Sequence, residues 1–381
     1  MIIGVPKETL FGETRVALIP SLLAGLIKDK HEILVEHNAG AASSHPNEEY
    51  TKAGARMVDT AKTLYADAEL VLKVQPPTPE EAGQLREGSS LIGFFAPISA
   101  GDIVDAFLKR RITAYSMQYV PRITRAQSMD ALSSMANIAG YKAVMLGAEH
   151  LDKIFPMMMT AAGTITPSIV LVLGAGVAGL QAIATAKRLG AKVEAFDPRP
   201  AVKEQVKSVG ATFIEMEITE NVETAGGYAK EQSEEFLRKE REVIGARLPK
   251  VDVVISTAQI FGKKAPVLIT AEMVKMMRSG SVIIDLAAEQ GGNCELTQAG
   301  KTVVQNGVKV IGAVNLPAAV PVHASQMYSK NVLNLLQHLF PKGIPNSDLN
   351  DEIVKGACIT RNGEIVNESV RSAFGQGDKK L

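Results

Sequence analysis

The residues Gly174-Ala-Gly176-Val-Ala-Gly179 form the pattern G-x-G-x-x-G. An apolar run at Ile169–Leu173 predicts a strand before them, and Ala178–Leu189 predicts a helix after them. In this context the first glycine permits a tight turn, the second lets the backbone approach a pyrophosphate, and the third allows close packing of helix and strand. The start of the helix would then offer unpaired N–H groups to the phosphates. The pattern therefore predicts a dinucleotide-binding turn.

An acidic residue follows the next predicted strand, Lys192–Phe196. Asp197 lies at about the spacing of 20 residues that is typical of the acid that binds the adenosine ribose. A carboxylate accepts hydrogen bonds from both ribose hydroxyls and repels a 2′-phosphate, which favours NAD over NADP. Arg199 leaves the alternative open, because an arginine nearby can accommodate that phosphate.

A second group of polar residues precedes the longest predicted helix. Gln127, Asp130 and Ser133 are spaced i, i+3 and i+6, which places them on one face of a helix. Arg122 could pair with Asp130 and orient its neighbours through charge-assisted hydrogen bonds. Thr124-x-x-Gln127 also fits a capping box, in which Gln127 would only satisfy N–H groups at the helix start. The spacing does not decide between these interpretations.

These residues must be positioned by alternating strands and helices. Strands separated by single helices indicate mostly parallel sheets, because parallel neighbours need crossover connections. The first series of predicted strands is Ile2–Val5, Ile33–Val35, Leu70–Val74, Leu91–Phe95 and Ile112–Met117. The second series is Ile169–Gly174, Lys192–Phe196, Thr212–Met216, Val251–Ser256, Val282–Leu286 and Val308–Ala313.

Two long helical segments connect the series, at Ala126–Leu151 and Ser325–Leu339. We predict an α/β fold of two Rossmann-like, doubly wound parallel-sheet domains joined by long helices with a cleft between them. The second long helix is expected to return to the N-terminal domain. That domain would comprise residues 1–135 and 325–381, and the dinucleotide-binding domain residues 136–324. A charged insertion at Glu217–Arg247 fits either a solvated helix or a mobile lid.

Composition excludes several classes of protein. The 381 residues carry 41 lysines and arginines against 41 aspartates and glutamates, which removes the electrostatic reason to expect nucleic-acid binding. Two cysteines cannot build a disulfide framework or a four-cysteine zinc site. No apolar stretch reaches the ~18 residues of a membrane span, and the N-terminus lacks a signal-peptide core. We expect a cytoplasmic protein whose membrane role, if any, depends on a partner.

The sequence resembles the NAD(H)-binding alpha component of proton-translocating NAD(P) transhydrogenase along essentially its whole length. The loop Pro-Arg-Ile-Thr-Arg-Ala-Gln-Ser-Met-Asp, which contains Arg122, Gln127 and Asp130, carries the resemblance most specifically. Further matching segments are Phe155–Gly163, Gly179–Gly190, Glu223–Glu231, Lys264–Ile269, and Ile284–Asp285 followed by Gly291–Cys294.

The resemblance implies direct hydride transfer between NAD(H) bound here and NADP(H) bound on a partner component. It also implies a homodimer, transmembrane partner chains that translocate protons, and a location on the inner face of the cell membrane. Arg122, Gln127 and Asp130 would act in catalysis, with Gln127 reaching toward the partner's nucleotide. The implied cofactor contacts are Ser133, Gly174, Gly176, Val177, Ala178, Gly179, Asp197, Pro198, Arg199, Gly227, Tyr228, Ala258 and Gln259. Gln259 departs from the apolar residue usual at its position.

Alanine dehydrogenase is the alternative, because Arg15 and Lys73 match positions that bind its keto-acid substrate. That reaction needs a proton donor, and the sequence has no histidine between His45 and His150. Hydride transfer between two nicotinamides needs only alignment of the rings. Arg15 and Lys73 are then expected to be structural, with ion pairs inside the first domain. A non-catalytic NAD(H)-binding module is a third possibility.

Overall fold

The computed structural model describes residues 1–216, 233–260 and 263–374. The chain forms two compact units. The first contains Met1–Met135 and the chain from Ala318 onwards, and the second contains Ala136–Pro317. The boundary near residue 135 lies inside the helix Ala131–His150, which is continuous through it.

The first unit is built on a mixed sheet of eight described strands. Its first six strands in sequence pair in parallel, and two strands near the C-terminus extend one edge in antiparallel fashion. From one edge to the other the order is Glu364–Ile365, Cys358–Arg361, Thr113–Ser116, Ser90–Gly93, Leu70–Leu72, Ile2–Val5, Glu32–Glu36 and Arg56–Val58.

Helices cover this sheet and bury its apolar side chains. Local capping sets several of their starts: Thr78 and Glu81 form a capping box, and the Thr60 hydroxyl accepts the Thr63 N–H. The α-helices of the first unit are Leu23–Lys28, Asn47–Lys52, Ala61–Asp67, Pro79–Gln84, Gly101–Lys109, Pro321–Leu339, Glu352–Ala357 and Glu368–Ala373.

The second unit contains a sheet of seven described strands. Six are parallel, and the edge strand Thr302–Gln305 is antiparallel. The order is Thr212–Phe213, Lys192–Phe196, Ile169–Leu173, Val253–Ser256, Val282–Asp285, Val308–Gly312 and Thr302–Gln305. The α-helices after Ala131–His150 are Val177–Arg188, Lys203–Ser208, Glu234–Gly245 and Ala271–Val274. A separate hairpin pairs Met158–Thr160 with Gly163–Ile165.

The alternation of side chains along Ile169–Leu173 shows why helices lie on both faces of this sheet. Val170 and Val172 pack in one apolar cluster with the helix Val177–Arg188. Leu171 and Leu173 belong to a second cluster, which includes Ile244 of the helix Glu234–Gly245. Because successive side chains of a strand point to opposite faces, both faces are buried.

The structure confirms the predicted α/β class with two parallel-sheet domains and corrects several boundaries. The long helix begins at Ala131, since Thr124–Met129 forms a 3₁₀-helix before it. The prediction missed Arg56–Val58 and the antiparallel strands. These are short edge strands or strands of a hairpin, and they lack the continuous apolar runs of buried parallel strands.

Candidate functional site

The glycine turn lies at the carboxyl end of the strand Ile169–Leu173, directly before the helix Val177–Arg188. Gly174 has a φ of +91°, a left-handed conformation that glycine adopts without strain. A Cβ on Gly179 would lie 1.9 Å from the Gly174 carbonyl oxygen, so only glycine fits this close approach. A Cβ on Gly176 would meet nothing within 4 Å, so the backbone there faces open space.

The start of this helix has the chemistry of an anion site. Gly176 is the N-cap residue, and it has no side chain with which to cap the helix. Val177 and Ala178 are the first helical residues, whose N–H groups have no partner within a helix. Together with the positive end of the helix dipole, these groups fit a bound pyrophosphate. The helix Ala131–His150 packs closely against this turn, since a Cβ on Gly140 would lie 2.1 Å from the Ala178 carbonyl oxygen.

Asp197 holds the turn to the end of the strand Lys192–Phe196. Its carboxylate accepts the N–H of Ala175 at 2.7 Å and the N–H of Arg199 at 2.9 Å. The Arg199 guanidinium donates to both carboxylate oxygens, each at 2.9 Å. Asp197, the predicted ribose-binding acid, is only 4% exposed. Both of its carboxylate oxygens accept hydrogen bonds from the protein itself. Pro198 lies between the paired residues and is half-buried.

The loop after the strand Val253–Ser256 packs against the glycine turn. The Thr257 hydroxyl donates to the Gly174 carbonyl oxygen at 3.0 Å. The Asn293 amide accepts the N–H of Ala258 at 3.0 Å and donates to the Ala258 carbonyl oxygen at 2.8 Å. Ala258 is half-buried, and it packs against the apolar cluster that contains Leu171 and Leu173. Gln259 is exposed and donates to the Leu286 carbonyl oxygen at 3.0 Å.

Asp285, which the resemblance includes in a matching segment without a role, is a buried anchor of this loop. Its carboxylate accepts N–H groups of Ala287, Asn293 and Cys294 at 2.7–3.0 Å and the Thr297 hydroxyl at 2.6 Å. These bonds fix Asn293, which in turn fixes Ala258. The sequence could have indicated this role, because Asp285 lies near the end of the predicted strand Val282–Leu286. It would therefore lie at the same sheet edge as Asp197.

Glu240 is a buried acid that sequence reasoning missed. It lies one turn from both Phe236 and Ile244, on the buried stripe of the helix Glu234–Gly245. No hydrogen bond from the described residues reaches its side chain. The pKa of Glu240 is raised to about 8, mainly by burial. The negative charge of Asp197 also raises it, and the positive charge of Arg241 lowers it. At such a pKa the neutral, protonated form of Glu240 predominates at pH 7.

The predicted catalytic loop lies in the first unit. The carboxylate of Asp130 accepts the backbone N–H of Ser133 at 2.8 Å and its hydroxyl at 2.6 Å, so Asp130 caps the helix Ala131–His150. The capping-box interpretation of Thr124 and Gln127 is wrong, because the N-cap residue of Thr124–Met129 is Ile123, and Thr124 lies inside the 3₁₀-helix. Gln127 is exposed, and no described group hydrogen-bonds its side chain.

Arg122 and Asp130 form the predicted ion pair, with Nε 3.9 Å from Oδ2. They lie in a pocket of about 560 Å³ that also brings together Gln127 and Ser133. The single-helix geometry predicted for these residues is wrong, because the chain changes from a 3₁₀-helix to an α-helix at Asp130. The lining residues are Pro121, Arg122, Ile123, Thr124, Ala126, Gln127, Asp130 and Ser133.

Arg15 and Lys73 are almost fully buried in the first unit. The Arg15 guanidinium pairs with both oxygens of Glu13 at 2.6–2.8 Å. Burial alone would raise the pKa of Glu13, but its bonds to Arg15 lower it to about 2. The Lys73 ammonium lies 3.4 Å from Glu8 and 3.3 Å from Glu81. The predicted ion pairing of both cations is confirmed.

Two predicted contacts, Gly227 and Tyr228, lie outside the described residues. Within the described ranges, no group of histidine, cysteine, aspartate and glutamate residues could hold a metal ion. No described helix is long and apolar enough to cross a membrane.

Two family profiles match the chain. Residues 4–139 match the profile described as alanine dehydrogenase/PNT, N-terminal domain, and residues 143–368 match its C-terminal counterpart. The chain is 49% identical to an NAD(P) transhydrogenase subunit alpha chain of Rhodospirillum rubrum, over 99% of this chain and 100% of that protein. It is 30% identical to alanine dehydrogenase of Bacillus subtilis, over 98% of this chain and 95% of that enzyme.

Solved structures show the same two likenesses. Transhydrogenase from Sinorhizobium meliloti has a TM-score of 0.85 and 39% identity, over 97% of this chain and 100% of that one. A structure of L-alanine dehydrogenase has a TM-score of 0.81 and 26% identity, over 99% of both chains. The fold is therefore shared by both enzymes, and the higher sequence identity is to the transhydrogenase.

Proposed function

The chain belongs to the alanine dehydrogenase/PNT family, and from this premise we propose that it is the NAD(H)-binding component of a proton-translocating NAD(P) transhydrogenase. The observation that carries the proposal is the pocket around the Arg122–Asp130 ion pair. Among the residues that the structure describes, its lining includes the exposed amide of Gln127 and no histidine. A reaction between two nicotinamides needs aligned rings and no proton donor, and this lining fits that requirement.

In the second unit, the glycine turn would hold the pyrophosphate of NAD(H) by the N–H groups at Val177 and Ala178. Gly176 would supply the close backbone approach, since a side chain there would enter the open space that the phosphates need. When bound, the nicotinamide supplies or accepts the hydride that is exchanged with NADP(H) on the partner component.

The loop in the first unit would act on the nicotinamide half. Ser133 is hydrogen-bonded to Asp130, which is paired with Arg122 at 3.9 Å, and the three residues are proposed to hold that half. Gln127 has no bond to another described side chain and would reach toward the partner's nucleotide. Gly227 and Tyr228 are retained as proposed contacts of the nucleotide, on the resemblance alone.

We expect a preference for NAD(H) at this site. Arg199 is the residue that could accept a 2′-phosphate, and its guanidinium is engaged with both oxygens of Asp197. A 2′-phosphate would have to break this pair and lie beside the carboxylate. Ribose hydroxyls can instead donate to Asp197 in place of some of its bonds to Arg199.

Alanine dehydrogenase activity is disfavoured by the surroundings of Arg15 and Lys73. Both cations are buried, and each already has carboxylate partners. A keto-acid carboxylate would have to displace these partners from a site with little exposure to solvent. Such an exchange leaves a buried carboxylate without its cation, which is strongly unfavourable.

The proposed activity requires partners. The chain would dock onto an NADP(H)-binding component and, through transmembrane partner subunits, lie on the cytoplasmic face of the cell membrane. Proton translocation would then be coupled to hydride transfer through conformational linkage between the subunits, since binding and translocation occur on different chains.

The proposal is tested by incubating the chain with NADH and an NADP⁺-loaded soluble partner domain and following NADPH formation. Pyruvate, ammonium and NADH form the parallel assay. NADPH formation only with the partner supports the transhydrogenase. Turnover of pyruvate without the partner would establish alanine dehydrogenase, and NADH binding without either reaction would indicate a binding module.

Gln127→Asn is expected to slow hydride transfer about tenfold or more, because a side chain one methylene shorter cannot make the same contact with the partner's nucleotide. NADH affinity should stay nearly unchanged, since Gln127 is exposed and is not assigned to NADH binding. Single-turnover transfer and NADH titration measure the two effects. Gln337→Asn, an exposed amide shortened in the same way, is the control. Equal transfer rates for Gln127→Asn and the parent would remove Gln127 from the mechanism.

We propose that the chain is a homodimer and that the hairpin Met158–Thr160/Gly163–Ile165 contributes to the interface. Its strand residues are all exposed, including Met158, Met159 and Ile165. An isolated two-stranded hairpin is only marginally stable in water, and a second copy would bury its apolar side chains. Met159→Lys should therefore shift sedimentation from dimer toward monomer, and Lys192→Ala is the surface control. A monomeric parent would refute the dimer, and an unaltered dimer would exclude the hairpin.

A further inference from the structure

Two asparagines hold the middle of the loop Thr124–Met129. Asn331 and Asn334 lie one turn apart on the helix Pro321–Leu339. Their Nδ2 atoms donate to the same acceptor, the backbone carbonyl oxygen of Ser128, at 2.8 and 3.0 Å. Ser128 directly follows Gln127 and precedes Asp130 by two residues. The two bonds therefore fix the backbone between the proposed transfer residue and the residue that caps the long helix.

The chemistry of the amide group determines which atoms of the two asparagines face Ser128. A carbonyl oxygen has two lone pairs and accepts two donors, so both asparagines must present their NH₂ groups to Ser128. Asn331 is only 6% exposed, and its own Oδ1 is buried with no described donor. A buried acceptor without a partner is unfavourable. Val332 and Leu335 beside Asn331 are buried and apolar. The hydrogen bond that the described structure gives the Asn331 side chain is the one to the Ser128 carbonyl oxygen.

The loop's own backbone hydrogen bonds, such as Ala126 N–H to the Ile123 carbonyl and Asp130 N–H to the Gln127 carbonyl, set its local turns but not its orientation against the helix Pro321–Leu339. Ala126 and Met129 are buried and anchor it by apolar packing, which does not select one backbone orientation. Arg125 lies 3.6 Å from Asp351, but it is 59% exposed, and exposed ion pairs constrain little. The converging amides, of which that of Asn331 is part-buried, are thus the directional contact that orients the loop against this helix.

We propose that Asn331 and Asn334 are positioning residues for hydride transfer, acting through Ser128 on the placement of Gln127 and Asp130. The inference rests on the proposed function for its catalytic consequence. Transfer between two rings depends steeply on their alignment, and a displacement of about 1 Å can cost about 100-fold in rate. Loss of both amide donors should therefore lower the transfer rate more than it lowers NADH affinity or thermal stability.

The test is the double variant Asn331→Asp/Asn334→Asp, in which carboxylates of the same shape replace donors by acceptors that repel the Ser128 carbonyl. Gln337→Glu introduces the same chemical change on the same helix, at an exposed position without a hydrogen bond to another described side chain, and serves as the control. Three quantities are measured: single-turnover transfer to an NADP⁺-loaded partner, NADH affinity, and hydrogen–deuterium exchange of the peptide covering residues 121–130.

We expect transfer in the double variant to fall about tenfold or more at pH 8, with faster amide exchange in residues 121–130 and nearly unchanged NADH affinity. Lowering the pH should recover some of the rate relative to the parent, because a protonated carboxyl group can donate again. Unchanged exchange and an unchanged transfer rate would overturn the proposal. Faster exchange together with a parent that transfers no hydride would support the loop's positioning and refute the proposed function instead.

Discussion

Gly176→Ala is expected to fold like the parent and to bind NADH about 10- to 100-fold more weakly, since a methyl group would displace charge-assisted hydrogen bonds to the pyrophosphate. The Gly176 backbone has a φ of −75°, which alanine adopts without strain. A Cβ there would meet no atom of the described residues within 4 Å, so none of them opposes it. The open space is where the phosphates are proposed to lie, and the loss should therefore appear in binding alone.

Gly179→Ala is the matched variant and should damage both folding and binding. Its Cβ would lie 1.9 Å from the carbonyl oxygen and 2.9 Å from the carbonyl carbon of Gly174, which are backbone atoms that cannot rotate away. The turn or the helix must shift, at a cost of roughly 1–3 kcal/mol. That shift also moves the N–H groups at the helix start.

Thermal unfolding and NADH titration of both variants separate the two effects. Gly83→Ala, in a helix with no atom within 4 Å of the new Cβ, reports the effect of the substitution at a neutral site. If Gly176→Ala bound NADH like the parent, the pyrophosphate could not lie over this turn. If both variants lost stability equally, Gly176→Ala would disturb the fold itself, and its weaker NADH binding could not be assigned to a methyl group in the phosphate space.

The dinucleotide turn could be predicted because its physical requirements are local. Gly174, Gly176 and Gly179 sit between a strand and a helix whose periods are readable in the sequence, and Asp197 ends the next strand. The Arg122–Asp130 ion pair was predictable for the same reason, as the two residues are eight positions apart. In each case the residues and the elements that position them lie close together along the chain.

The supporting contacts could not be predicted, because they depend on packing between distant segments. Asn293 meets Ala258 from 35 residues away, and Asn331 meets Ser128 from 203 residues away. Period counting also misassigned Gln127, since a 3₁₀-helix and an α-helix share side-chain spacings over one turn. The cap at Asp130 shows that the α-helix begins after Gln127, but this cap can be recognised only in the folded backbone.

Glu240 illustrates a second reason. Charge alternation in the segment Glu217–Arg247 indicated a solvated helix, yet one of its glutamates lies between Phe236 and Ile244 on the buried stripe. Helical spacing from these two apolar residues would have identified it. Its protonation state could not be inferred in the same way, because it depends on burial and on the charge of Asp197.

Glu240→Gln is expected to stabilise the protein increasingly as the pH rises. The folded pKa is raised to about 8 from an unfolded value of 4.5, so the folded state holds a proton that the unfolded state releases. The stability of the parent that depends on this proton is complete below about pH 4.5 and is lost as the pH rises through about 8. Glutamine has the same shape and no such proton, so it avoids a loss of roughly 3 kcal/mol at pH 7.

The difference in unfolding free energy between Glu240→Gln and the parent should therefore be small at pH 5, grow through pH 7 and level off above pH 8. Denaturant unfolding at graded pH measures it, and the exposed Glu235→Gln on the same helix is the control. A difference that stays constant from pH 5 to pH 9 would mean that Glu240 is ionised in the folded protein. In that case the positive charges of Arg199 and Arg241 would have to offset the two carboxylates of Asp197 and Glu240.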